Sequence, residues 1–240
     1  MWKYLHNAAQ ILLHQIHKIM IFKKASYDPF KIIHIFTDSA RGSQTFACHF
    51  ELLIQQFLNY LYFFRLNLAP VNGSDVGVKT DLVTINPSQN MAVNPGPLVR
   101  RVSVYGNASL MIPAFAYTVC TAVSIKTLQV LQPIRPQQPV VFFSPYYLKT
   151  LDRFWKGLGL KEKRLSTGFM LVNMALELFD DVHLYGFWPF DINLKQQTLQ
   201  HHYYDNKPPK PFVHAMPEEF VHLLQLHSQG ALTLHLQPCL

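Results

Sequence analysis

A parallel, doubly wound α/β sheet is the fold this sequence predicts, on three observations. Short apolar runs of strand composition alternate along the chain with stretches of helical character, the order in which βαβ units are built. The run Val140-Val141-Phe142-Phe143 is continuously apolar, as a central strand covered on both faces requires, and the helix-opening pair Ser144-Pro145 follows at once. Residues 164–190, RLSTGFMLVNMALELFDDVHLYGFWPF, read as a loop, a buried helix and a buried strand in that order. A chain of 240 residues with 49% apolar content has material for one such domain and its core.

Taken in order, residues 1–62 stand apart as an atypical segment rich in His, Ile, Phe and Lys. Helical pieces fit at 3–24 and 47–64, and His6, His14 and His17 have no acidic partner at ligand spacing, so they read as surface or packing residues. The stretch 11–22 is broken by His14, Gln15, His17 and Lys18, which suits neither a signal peptide nor a membrane span. From Phe63 the texture changes. Residues 64–70 read as a strand end leaving into a loop, and 81–85 as a second strand closed by Asn86-Pro87-Ser88, a polar turn suited to a ligand's hydroxyls or to a plain Asx turn. Residues 89–101 are loop-like around Pro95, Gly96 and Pro97; 109–113 is a short strand; 123–131 is a helix ending before Pro133; and 146–156 is a helix.

In the block 164–190, Ser166 and Thr167 are N-cap residue types, Gly168 permits a close approach, and the apolar run 169–179 makes a helix. Unpaired amides and the helix dipole make that start a seat for an anion. Strand 182–187 then opens into Trp188-Pro189-Phe190, at the end of a strand where open α/β sheets bind ligands. Further on, Pro217, Glu218 and Glu219 open a helix over 220–227 that Gly230 ends, and 231–236 alternates like an edge strand.

Twenty-one Lys and Arg against fourteen Asp and Glu give +7, which favours anionic ligands, although no basic-aromatic module points to nucleic acid. Cys48, Cys120 and Cys239 have no metal-ligand spacing, so no metal site is expected. No Asp-x-Asp occurs, which argues against a metal-bridged diphosphate donor. His202, beside Asp205, and His214, ahead of a helix start with Glu219 a turn on, are the candidate bases; the dipole lowers the proton affinity of His214 and Glu219 restores it. A packing or capping histidine explains either one equally. Asn72 and Asn107 head N-glycosylation sequons.

Four segments jointly resemble the animal sialyltransferases, most closely the alpha-2,8 branch. Residues 165–190 resemble the small sialyl motif, HHYYDN at 201–206 resembles motif III, His214 through Glu219 resembles the very small motif, and 65–88 resembles the rear half of the large motif. The resemblance implies a catalytic domain over 63–240 of Rossmann-like, GT-A-variant type. It implies inverting, metal-independent transfer of sialic acid from CMP-sialic acid to a sialylated glycan on glycolipid or glycoprotein, in the Golgi lumen. By the same resemblance His214 is the general base and His202 steadies the departing CMP phosphate. Ser166, Thr167 and Gly168 hold the nucleotide, Asn67, Asn86 and Ser88 contact the donor, Trp188 flanks the nucleotide and Glu219 is an orienting carboxylate.

The match is incomplete. The large motif's Gly-rich front half has no counterpart before Phe63, and neither has the family's signal anchor. Leu66 and Phe179 stand where the family has cysteines, so Cys239 lacks its implied partner and neither family disulfide is expected. Two functions stay open on the sequence: an active alpha-2,8-sialyltransferase, or an inactive relative that binds glycans or a protein partner.

Overall fold

The structure, a computed structural model, describes residues 32–36, 61–71, 77–86, 95–115, 117–161, 163–204 and 214–236. The expected helix at 3–24, most of that at 47–64, His6, His14, His17, Cys48, Asn72, Ser88, Asp205, Asn206 and Cys239 lie outside them.

Among the described residues seven strands form one wholly parallel sheet. They are β1 (Ile32–Phe36), β2 (Leu61–Arg65), β3 (Leu82–Thr84), β4 (Ser109–Ile112), β5 (Val140–Phe142), β6 (Asp181–Tyr185) and β7 (Thr233–His235), in the order β5-β4-β3-β2-β1-β6-β7. The chain therefore runs outward from β1 through β5 and returns to the other side of β1 for β6 and β7. That reversal is the topological switch of a doubly wound fold. Five described helices accompany the sheet: α1 (Pro95–Ser103), α2 (Thr118–Leu131), α3 (Pro145–Gly157), α4 (Thr167–Leu178) and α5 (Met216–Ser228).

Alternate strand residues enter two cores. Ile33, Ile35, Phe64, Leu82, Met111 and Leu184 pack with α3, α4 and α5, whereas Val83, Leu110 and Ile112 pack with Leu98 and Val102 of α1 and Leu131 of α2. Period-two alternation thus places helices on both faces, as a parallel sheet requires. Helix α4 is deeply buried from Phe169 to Ala175. Its one polar core residue, Asn173, is satisfied twice: its amide donates to the Phe169 carbonyl (2.7 Å) and its carbonyl accepts from Trp155 Nε1 (2.9 Å).

Three sequence expectations are corrected. Residues 61–64 are strand, not the tail of a helix over 47–64, because they pair with β1 and bury Phe63 and Phe64 in the sheet. Residues 95–101 are helical, not loop; Pro95 and Pro97 fall in the first turn, where no intrahelical N–H is needed, and Leu98 and Val102 bury one turn apart. Strand β5 lies at the sheet edge, half-buried, rather than at the centre. Residue 62 lies within β2, and residues 32–36 form β1, which lies between β2 and β6.

The two positions at which the resemblance implies cysteines hold packed apolar side chains. Leu66 is buried in the α3–α4–α5 core, and Phe179 sets its ring edge-on to Tyr62 and Phe64. On the opposite face, His34 stacks between Phe63 and His183, and Tyr185 stacks between Phe36 and His235. His183 Nδ1 lies 2.9 Å from His235 Nε2, so one ring donates the shared proton and the other accepts it.

Glu177, near the end of α4, carries the first testable consequence. Burial pushes its carboxyl up to about 7, the neighbouring Tyr147 hydroxyl pulling it part of the way back. With the folded value above the unfolded one, this group's contribution is fully present below the unfolded value and is lost as pH rises toward about 7. Glu177→Gln should therefore stabilise the protein by about 1 kcal/mol near pH 8, after allowance for partial solvent screening, and by nothing near pH 4. Urea unfolding at the two pH values checks this; an equal gain at both would show that the effect is not ionisation.

Candidate active site

The candidate site is built on the loop between α3 and α4. Its backbone is held from several directions. Lys161 N donates to Glu218 Oε2 (2.9 Å), Leu165 N to the Tyr117 hydroxyl (3.0 Å) and Ser166 N to Glu219 Oε1 (2.7 Å), while the Arg164 carbonyl lies 2.9 Å from His214 Nδ1. Two first-turn carboxylates of α5, favoured there by the helix dipole, thus bind the two ends of the α3–α4 loop to the start of α5.

A carbonyl oxygen only accepts, so His214 Nδ1 must carry the hydrogen and Nε2 holds the lone pair. Burial lowers the proton affinity of His214, the bond to the Arg164 carbonyl raises it in part, and the Arg164 guanidinium lowers it again. The ring is a neutral base with one defined basic nitrogen. Glu219 Oε1 accepts from the Ser166 amide, and Glu219 is not among the groups that set the proton affinity of His214.

His214 lines an open hollow of about 290 Å³ together with Asn86, Tyr117, Cys120, Arg164 and Thr167. Asn86 follows β3 and Pro113, also in the wall, follows β4, so the hollow opens at the carboxyl ends of the strands, to one side of the β1–β6 switch. Cys120 is an unpaired, buried thiol whose burial raises its pKa, so it is an inert wall residue.

The structure brings His214, Asn86 and Thr167 to this one hollow and places the other expected residues around it. Ser166 is the N-cap of α4, its hydroxyl accepting from Phe169 N at 3.1 Å. Gly168 is closely packed: a Cβ there would lie 3.1 Å from Leu66 Cδ1 and 3.3 Å from Phe187 Cε1, side chains that would have to give by a few tenths of an ångström, so its close approach is to the core. Asn67 occupies a left-handed turn after β2 (φ 60°), its amide donating to Thr84 Oγ1 at 3.0 Å. Trp188 donates to the Ile192 carbonyl (2.8 Å) and packs on Phe190 and Phe220, beside α5. His202 stacks on Tyr204, in a loop that Tyr203 ties to the Pro70 carbonyl after β2, and it is not among the residues lining the hollow. Asn107 is exposed in the turn before β4.

Arg164, Tyr117 and Cys120 are site residues that the sequence does not single out. The Arg164 guanidinium lies over the Tyr117 ring, 5.6 Å from its centroid, and among the described residues no carboxylate pairs with it. A basic residue two positions before an N-cap was the available signal for Arg164; Tyr117 and Cys120 arrive from the start of α2, with no local signature.

The architecture is that of solved bacterial sialyltransferases. The alpha-2,3-sialyltransferase Cst-I of Campylobacter jejuni superposes with a TM-score of 0.52 over 90% of this chain and 79% of its own, at 12% identity. A variant of the sialyltransferase CST-II in complex with CMP gives 0.50 over 86% and 80%, at 14% identity. The family model of glycosyltransferase family 29 (sialyltransferase) matches residues 59–231, and the chain belongs to that family. Its relatives include mouse alpha-2,8-sialyltransferase 8F, 44% identical over 74% of this chain and 47% of that protein, and human alpha-2,8-sialyltransferase 8E, 45% identical over 74% and 50%. The bovine alpha-N-acetylneuraminide alpha-2,8-sialyltransferase is 42% identical over 73% and 52%. The chain spans about half the length of the curated relatives it matches.

Proposed function

We propose that this protein transfers sialic acid from CMP-sialic acid to a hydroxyl of a sialylated glycan, with inversion and with His214 as general base. The observation that carries the proposal is the bond from His214 Nδ1 to the Arg164 carbonyl, which leaves Nε2 as the basic nitrogen of a residue in the wall of the hollow. In the reaction, the acceptor hydroxyl gives its proton to Nε2 as its oxygen attacks the anomeric carbon, and the bond from that carbon to the CMP phosphate breaks. The start of α4 at Thr167 supplies amides and a positive dipole end for the anionic nucleotide. Metal independence rests on the sequence, which has no Asp-x-Asp for a diphosphate donor. The bovine relative's name gives a sialic acid as the acceptor, which supports the same acceptor here. A Golgi-lumen location goes with this reading; among the described residues no helix is long and apolar enough to cross a membrane.

The test is CMP release from CMP-sialic acid that depends on a sialylated acceptor. Its absence from correctly folded protein would favour an inactive glycan-binding relative. Where transfer is observed, kcat/KM should fall on the acid side with a midpoint below the ordinary histidine value, because burial first and Arg164 second keep His214 neutral. A pH series at low substrate measures this midpoint. A limb at or above the ordinary value would contradict the environment seen around the ring.

A further inference from the structure

We propose that the guanidinium of Arg164 receives the carboxylate of the acceptor's terminal sialic acid, making Arg164 the residue that selects a sialylated over a neutral acceptor. The proposal rests on the sialyl-transfer reading for the identity of the acceptor and on the geometry of the hollow for the residue. Arg164 is in the wall beside the base, and its own carbonyl holds the base by Nδ1. Its side chain rests on Tyr117, whose hydroxyl accepts from the next residue's amide, so backbone and guanidinium are fixed by the same ring. No carboxylate among the described residues pairs with it, leaving the flat fork of donors to match a ligand carboxylate in two-point fashion.

The chemistry of the acceptor explains why the cation should stand next to the base. In an alpha-2,8 linkage to a sialic acid, the attacking hydroxyl and the carboxylate belong to the same sugar, so a group beside the base meets the carboxylate when the hydroxyl is in place. Arg164 shares the wall of the hollow with His214 and Cys120 and acts electrostatically on both. Before the acceptor arrives, that charge helps keep His214 unprotonated. An arriving carboxylate offsets it and lets the base strengthen as the hydroxyl docks.

The experiment is equilibrium titration of the full chain with α2,3-sialyllactose, with the methyl ester of the same trisaccharide, and with CMP, for wild type, Arg164→Lys and Arg164→Gln, alongside thermal unfolding of each. Wild type should prefer sialyllactose to its ester by roughly ten- to a hundredfold. Arg164→Gln should abolish that preference and leave CMP affinity within about twofold, with Arg164→Lys between the two. Loss of CMP affinity with sialyllactose binding intact would assign the guanidinium to the donor phosphate and overturn the proposal. Equal binding of acid and ester by wild type, or no binding of either, would overturn it as well. An acid-over-ester preference that depends on Arg164 in a protein showing no transfer would uphold the carboxylate seat while removing the enzymatic reading.

Discussion

His214→Ala is expected to lower kcat for sialyl transfer by roughly 10²- to 10⁴-fold while leaving the KM for CMP-sialic acid and for the acceptor within a few-fold of wild type. Proton removal matters only as the acceptor oxygen begins to bond to the anomeric carbon, so deleting the base removes an interaction that exists in the transition state and hardly at all in the ground state. The ring's second task, donating Nδ1–H to the Arg164 carbonyl, is a single partly buried hydrogen bond worth about 1 kcal/mol, too little to unfold the chain. Steady-state kinetics at saturating donor, with a thermal melt of the same preparation, separates the two contributions. Unchanged kcat in a folded variant would take His214 out of the reaction. A rise in KM at constant kcat would make it a binding residue.

The sequence shows α4 and β6 clearly because each is locally self-sufficient. Ser166 caps, seven consecutive residues from Phe169 to Ala175 are buried, and two aspartates break the run before the strand. Strand β7 shows for the same reason, an alternating run after the turn at Gly230. Strand β1 is harder to see, because a central parallel strand announces itself by an unbroken apolar run and His34 interrupts this one. Its ring is accommodated by stacking between Phe63 and His183 and by the Tyr185 hydroxyl, 151 residues distant. Helix α1 is masked by two prolines that a first turn tolerates, and β5 looks central by composition because a half-buried edge can be as apolar as a core strand.

The site divides along the same line. His214, Asn86 and Thr167 are legible because their residue types and motif order carry chemistry, and the structure gathers them at one hollow. The part played by Glu219 is not legible. A carboxylate one turn after a histidine invites a pairing between them, yet the rigid start of α5 sends its side chain to the amide of Ser166, 53 residues away. Arg164 escapes notice because its importance comes from Tyr117 beneath it and His214 beside it, neither of which is a sequence neighbour.

Glu219→Ala should then be the most damaging change that leaves every pocket-lining side chain in place. The carboxylate is 4% exposed and its 2.7 Å bond satisfies the amide of the α4 N-cap residue, so truncation leaves a partly buried donor unmatched. A charge-assisted bond of this kind contributes about 1.5–3 kcal/mol. For a chain of this size the loss lowers the unfolding midpoint by roughly 3–12 °C. Activity should suffer beyond the stability loss, because the same short loop presents the Arg164 carbonyl to His214 and the first amides of α4 to the proposed nucleotide seat. Glu219→Gln keeps an acceptor oxygen and should recover most of both losses, which a purely electrostatic role would not allow. If Glu219 acts on catalysis by way of the base, combining Glu219→Ala with His214→Ala should reduce kcat no further than His214→Ala alone, since the positioning has nothing left to position. Independent multiplication of the two defects would mean that Glu219 serves the nucleotide seat instead, through the end of α4.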